Sequence, residues 1–162
     1  MHRIPRLYHF TDRRNLPSIR KHGGLLCWAE LIKRKIKVPA PGGNDWSHEE
    51  DERRGLDRYV HLCFRENHPM EYKARQQERI TESIFLQISP TVLELPGVRF
   101  SADVANKKGV ESVPIGEAEK HIDFDILYSY VKDDSWKQRL ARAEKYEVLV
   151  PELIALNLIG NI

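Results

Sequence analysis

Residues 146–150 read Tyr-Glu-Val-Leu-Val and are followed by Pro151. A short run of β-branched and aromatic residues closed by proline is a strand signal. It also carries a constraint. A carboxylate in an apolar strand costs desolvation free energy unless something pairs with it. Alternation puts Glu147 on one face with Leu149, and Tyr146, Val148 and Val150 on the other. Two placements satisfy this: an edge strand whose Glu147 faces solvent, or a strand that presents Glu147 to a functional site. Glu144 makes an ExxE spacing with Glu147 but belongs with the preceding helix.

The rest of the chain supplies partners for such a strand. Residues 6–10 (Arg-Leu-Tyr-His-Phe) are β-prone, and Thr11 and Asp12 offer helix-capping chemistry. A short helix follows, with Leu16 and Ile19 inward and Gly23–Gly24 as a left-handed stop. Leu25–Trp28 predicts a brief strand and residues 29–37 a second helix. Residues 39–55 combine two Pro, three Gly and an acid cluster, and predict a long loop, at most partly helical. Residues 59–64 and 83–89 are the clearest strands; in the second, Ile84, Leu86 and Ile88 alternate with Phe85 and Gln87. Between them, residues 68–82 begin as a turn and continue as a short helix. Short strand or turn pieces are expected around Pro90 and Pro96, and an irregular polar stretch over 102–121. Residues 124–131 and 133–144 predict helices, and strands flank Pro151. The sum is one α+β domain over residues 1–162.

Charge sharpens this picture. The formal net charge is only +2, but it is unevenly spread. Residues 1–40 hold ten Lys/Arg against Asp12 and Glu30, a balance of +8. Residues 41–57 hold Arg53 and Arg54 against six acids, a balance of −4. A basic quarter on a near-neutral chain is either a nucleic-acid or phosphate footprint or a solvated helix face. No run approaches the roughly 18 apolar residues of a membrane helix. The N-terminus has no apolar core of the signal-peptide kind. Cys27 and Cys63 form no CxxC and no zinc spacing. A reduced cytoplasm without structural metal is the expectation.

His9 lies in the first strand, where a lone histidine is either structural or a ligand contact. The ordered pieces Tyr-His-Phe-Thr (8–11), Asn-Leu-Pro-Ser-Ile (15–19), Tyr-Val-His-Leu-Cys-Phe (59–64), His-Pro-Met (68–70), Ala105-Asn106…Gly109 and Tyr-Glu-Val-Leu-Val resemble the DarT family. These are NAD-dependent DNA ADP-ribosyltransferases, the toxin half of DarT–DarG toxin–antitoxin pairs. The resemblance runs from about residue 7 to the end of the chain. It implies the ADP-ribosyltransferase fold: two small facing β-sheets with flanking helices and an NAD cleft between them. It also implies roles. Glu147 matches the catalytic glutamate. His9 matches the histidine that hydrogen-bonds the adenosine ribose. Thr11, Asn15 and Met70 match positions lining the NAD site. Residues 100–109 resemble the start of the substrate-recognition loop.

The chemistry is consistent with that assignment. Breaking the glycosidic bond of NAD leaves positive charge on the sugar, which a neighbouring carboxylate stabilises. The same group can take a proton from a base nitrogen. No metal is required. Two departures stand out. Members of the family carry a catalytic arginine before the central strand; here that loop is short and acidic, with Arg54 the first candidate, then Arg53 and Arg58. His61 stands where many members have proline. The target base is therefore open between thymine and guanine. The expected partners are single-stranded DNA, whose bases are already accessible, and a macrodomain antitoxin of DarG type. A cytoplasmic monomer is expected. Basic residues 33–37 are candidates for phosphate contacts and Trp28 or Trp46 for base stacking. The rival readings are the same fold acting on RNA or protein, and a non-catalytic nucleic-acid-binding module.

Overall fold

Strand β1 (Leu7–Asp12) pairs along its whole length with β4 (Ser83–Ile88), from Leu7 opposite Ile88 to Asp12 opposite Ser83. On its other side it meets β3 (Tyr59–Cys63), and β3 pairs with β7 (Glu147–Pro151). Short strands β5 (Arg99–Ser101) and β6 (Val113–Pro114) complete a six-stranded antiparallel sheet of order β4-β1-β3-β7-β5-β6. A second sheet pairs β2 (Gly24–Leu26) with β8 (Leu153–Ala155). The computed structural model describes residues 4–129 and 132–162. The α+β expectation holds in the form of one large and one small sheet. Residues 130 and 131, at the end of the helix expected over 124–131, lie outside the described residues.

Side-chain alternation gives β3 and β7 two unlike faces. Val60, Leu62, Val148 and Val150 point into the main core, with Phe100 fully buried beside them. Phe64 meets Phe100, Phe124 and Tyr146 at ring distances of 6.2, 6.2 and 6.5 Å. Helices α5 (Ala118–His121), α6 (Phe124–Tyr128) and α7 (Trp136–Ala143) cover this face through Ala118, Phe124, Leu127 and Ala143. The opposite face carries His61, Cys63, Glu147 and Leu149.

The small sheet depends on one glycine. Gly24 has φ +146°, and a Cβ there would lie 2.0 Å from the Ile154 carbonyl oxygen. Only glycine allows the two strands to approach this closely. Gly23, at φ +83°, ends α1 (Leu16–Lys21) as the sequence predicts.

Two expectations need correction. Helix α2 spans Trp28–Lys33 and stops well before residue 37, because Lys35 turns to φ +55°. The acidic stretch is more helical than a loop: α3 spans Asp45–Arg53, nine residues. The Asn44 side chain accepts the Ser47 N–H at 2.9 Å, and Gly55 at φ +69° follows its end. Capping, an acid in the first turn and Arg53 in the last outweigh the crowded negative charge.

Candidate active site

Glu147 is 5% exposed and lies on an interior strand between β3 and β5, so the edge-strand placement is excluded. Its Oε2 accepts the Ala105 N–H at 3.0 Å and the His61 Nδ1–H at 3.2 Å. Its Oε1 lies 3.4 Å from His68 Nε2, misaligned for a full hydrogen bond. Burial alone would raise its pKa. The hydrogen bond and charge of His61, the proximity of His68 and the Ala105 N–H outweigh burial and hold it below the ordinary carboxylate value. Glu147 is therefore ionised although buried.

This carboxylate lines a cavity of about 240 Å³. Its apolar wall comes from Phe10, Leu25, Leu26, Trp28 and Met70. Met70 opens helix α4 (Pro69–Gln76), whose cap is the buried His68: His68 Nδ1 accepts the Met70 N–H at 3.2 Å. Thr11 and Asn15 also line the cavity, but their polar atoms serve the wall. Asn15 Nδ2 donates to Thr11 Oγ1 at 3.0 Å and to the Ala40 carbonyl at 2.7 Å, and Asn15 Oδ1 accepts the Ala40 N–H at 2.9 Å. Asn15 thereby fastens the segment before Gly42 and Gly43 to the end of β1. His9 donates from Nδ1 to the His61 carbonyl at 2.9 Å. Burial lowers the pKa of His9, so the ring is neutral and Nε2 remains an acceptor for a ligand hydroxyl.

Glu147, His9, Thr11, Asn15 and Met70 thus share one cavity. The arginines do not join them. Arg54 Nη1 donates to the Ala105 and Lys107 carbonyls at 3.1 and 2.7 Å, and Nη2 donates to Val110 at 2.8 Å. It clamps the loop from behind. Arg53 is exposed and paired with Glu50, and Arg58 is exposed. No lysine or arginine lines the cavity among the described residues.

Several cavity residues received no role of their own from the sequence, and Asn106 stood out only as part of the Ala105-Asn106…Gly109 piece. Asp51 comes from α3; burial raises its pKa, and its Oδ1 is buried without a hydrogen-bond partner among the described residues. His48 stacks on Trp28 with ring centroids 3.6 Å apart. Asn106 donates to Ser47 Oγ at 3.2 Å and joins the loop to α3. All three fall in stretches expected to be irregular, and the helical spacing of Ser47, His48 and Asp51 is the signal that could have found them. No group of three His, Cys, Asp or Glu among the described residues is placed to hold a metal.

The family model for DarT, described as ssDNA thymidine ADP-ribosyltransferase, matches residues 8–162. The chain belongs to the DarT family. Its activity class is that of the family: NAD-dependent ADP-ribosylation of single-stranded DNA. Solved DarT structures share the fold. Thermus sp. 2.9 DarT in complex with ADP-ribosylated ssDNA aligns with a TM-score of 0.71 at 16% identity, covering 96% of this chain and 79% of that one. The same protein in complex with NAD+ aligns at 0.65 and 18% identity, covering 98% and 81%. Thermosipho africanus DarTG in complex with ADP-ribose aligns at 0.70 and 17% identity, covering 96% of this chain and 42% of that one. No curated protein matches the chain. The DarT fold thus places Glu147 on an interior strand beside a cleft.

Proposed function

We propose that this chain transfers ADP-ribose from NAD to thymine in single-stranded DNA, with Glu147 as the catalytic carboxylate. The observation that carries this is an ionised carboxylate at the wall of the cleft, held by the Ala105 N–H and His61. Thymine is supported by the description of the family model. NAD, when bound, supplies the ADP-ribosyl group: the bond from its ribose C1′ to nicotinamide breaks, and the electron pair leaves with the nicotinamide.

The chain's own residues do the rest. Glu147 faces the positive charge that develops on the sugar, in a partly dry wall where such interactions are strong. Thymine has one ring N–H once attached to its sugar, and that proton passes to Glu147 as the nitrogen bonds to C1′. His9 offers Nε2 to a ribose hydroxyl. Met70 and Phe10 provide apolar wall, and Thr11 and Asn15 hold the segment that faces it. Arg54 acts through Ala105: it binds the carbonyl of that residue, whose own N–H holds Glu147. Single-stranded DNA is the partner, since a stacked, paired base could not reach Glu147. A macrodomain antitoxin of DarG type removes the modification, a reading supported by the DarTG relative. The enzyme works as a monomer in the cytoplasm.

The test offers labelled NAD with thymine-bearing single-stranded DNA, the same DNA lacking thymine, RNA and protein, followed by mass spectrometry. The expected product is ADP-ribose on thymine, lost in Glu147→Ala. Label on RNA or protein alone overturns the DNA reading. Equal inactivity of wild type and Glu147→Ala, with DNA binding intact, makes the chain a binding module instead.

A further inference from the structure

Both ring nitrogens of His61 face acceptors. Nδ1 is 3.2 Å from Glu147 Oε2, and Nε2 is 3.2 Å from the Leu56 carbonyl oxygen. An ionised carboxylate and a carbonyl cannot donate, and a neutral imidazole has a single N–H. Only the doubly protonated ring makes both hydrogen bonds at once. The neighbouring histidines are built differently. His9 has one acceptor, at Nδ1, and His68 accepts at Nδ1. Both suit the neutral ring, and burial lowers the pKa of each. Since no lysine or arginine lines the cavity among the described residues, His61 is the cation nearest Glu147.

We propose that His61 is a standing imidazolium and the positioning residue of the site: it holds Glu147 ionised and oriented, so that the carboxylate works as half of an ion pair. The inference rests on the reading of Glu147 as the catalytic carboxylate. The groups facing His61 come from each element around it: Glu147 from β7, Asp51 from α3, His9 from β1 and His68 from the turn before α4. The carboxylates favour its charge, and that charge in turn helps to keep His9 and His68 neutral. Burial works against the imidazolium, but the hydrogen bond and charge of Glu147, the charge of Asp51 and the Leu56 carbonyl carry His61 up to about 9.

The pairing matters to the reaction. A buried glutamate without a cation beside it is protonated at higher pH. Protonated, it neither stabilises positive charge on the sugar nor accepts the proton of the base. His61 keeps its own proton throughout, and its charge keeps Glu147 available. A carboxylate has about four acceptor sites. The two donors on Oε2 restrain it and leave capacity for substrate.

The test has two arms. In the first, protein labelled with 15N-histidine is titrated by NMR. Wild-type His61 is expected to carry protons on both nitrogens at about pH 7.5, and to become neutral there in Glu147→Gln. In the second, pH profiles of kcat/KM for NAD turnover on a thymine oligonucleotide are compared for wild type and His61→Asn. The acid limb is expected to move up by about one pH unit, a loss that approaches tenfold at pH values below the wild-type limb and recovers toward wild type near pH 8.5. A purely structural role would lower the whole profile without moving the limb. A neutral wild-type His61 at pH 7.5, or an unmoved limb, overturns the proposal. Should His61→Asn fail to fold, the wild-type titration decides alone. If Glu147→Gln keeps full turnover, the catalytic reading of Glu147 falls, and the NMR titration still reports separately on the ion pair.

Discussion

The two faces of the β3–β7 strand pair are made from the same ten residues and obey different rules. On one face Val60, Leu62, Val148 and Val150 are dry and make no polar demands. On the other, His61 and Glu147 are stable because each satisfies the other. The apolar face is held by area and shape, so losses there are graded and one hydrocarbon can stand in for another. The polar face is held by matched charge and hydrogen bonding, so removing His61 leaves the buried Glu147 uncompensated. A one-residue slip in register would exchange the faces. The core therefore dictates where the carboxylate points.

Four experiments would break or sharpen this contrast. The largest effect is expected for Glu147→Gln, which keeps the shape and removes the charge. Transfer to single-stranded DNA should fall by about 10³-fold, while circular dichroism still reports a folded chain. Folded protein with undiminished transfer would contradict the division of labour. Second, Phe100→Ala opens the core face and should cost about 3–5 kcal/mol in urea unfolding. Turnover per folded molecule should change little; a selective loss of turnover would show that the two faces are not independent.

Third, Arg54→Ala frees the loop that carries Ala105. It should lower kcat by about ten- to a hundredfold through misplacement of Glu147, with a smaller effect on stability. An unchanged kcat would disconnect that loop from the carboxylate. The smallest effect is in the pH dependence of stability. His61 has a raised folded pKa, so its contribution is full below the unfolded value of about 6.5 and is lost as pH rises through about 9. Glu147 has a lowered one, so its contribution is present above about 4.5 and is lost as pH falls through its folded value. Stability measured by urea unfolding should decline at both ends, and Val148→Ala should shift that curve down without changing its shape.

How far this was legible in the sequence follows the same division. Alternating apolar patterns over residues 59–64, 83–89 and 146–150 made three strands of the large sheet readable, because burial on one face imposes period two. Glu147 stood out for the complementary reason, as a polar residue in a run that should have none. Arg54 could not be read in this way. Its direction is set by the carbonyls of Ala105, Lys107 and Val110, some fifty residues away in the chain, and no local pattern encodes that meeting. Helix α3 was hidden by its acids. Four consecutive negative residues read as solvated loop, whereas Asp51 is turned inward to the cavity and Glu50 is paired with Arg53. The basic quarter is also partly spent internally: Arg14 binds the buried Asp12, and Lys33 and Arg34 bind Glu30. Arg20, Lys21, Lys35 and Lys37 stay exposed.

The pairing of β2 with β8 bears on when the enzyme comes into being. Leu25 and Leu26 form cleft wall, yet their strand is hydrogen-bonded to residues 153–155. Synthesis proceeds from the N-terminus, so the wall is made early and waits for its support until more than 150 residues exist. Glu147 arrives only shortly before that support. A nascent chain that has not reached residues 153–155 lacks the strand that seats its wall. For a family whose product marks DNA, this arrangement ties the complete cleft to residues made well after its first wall.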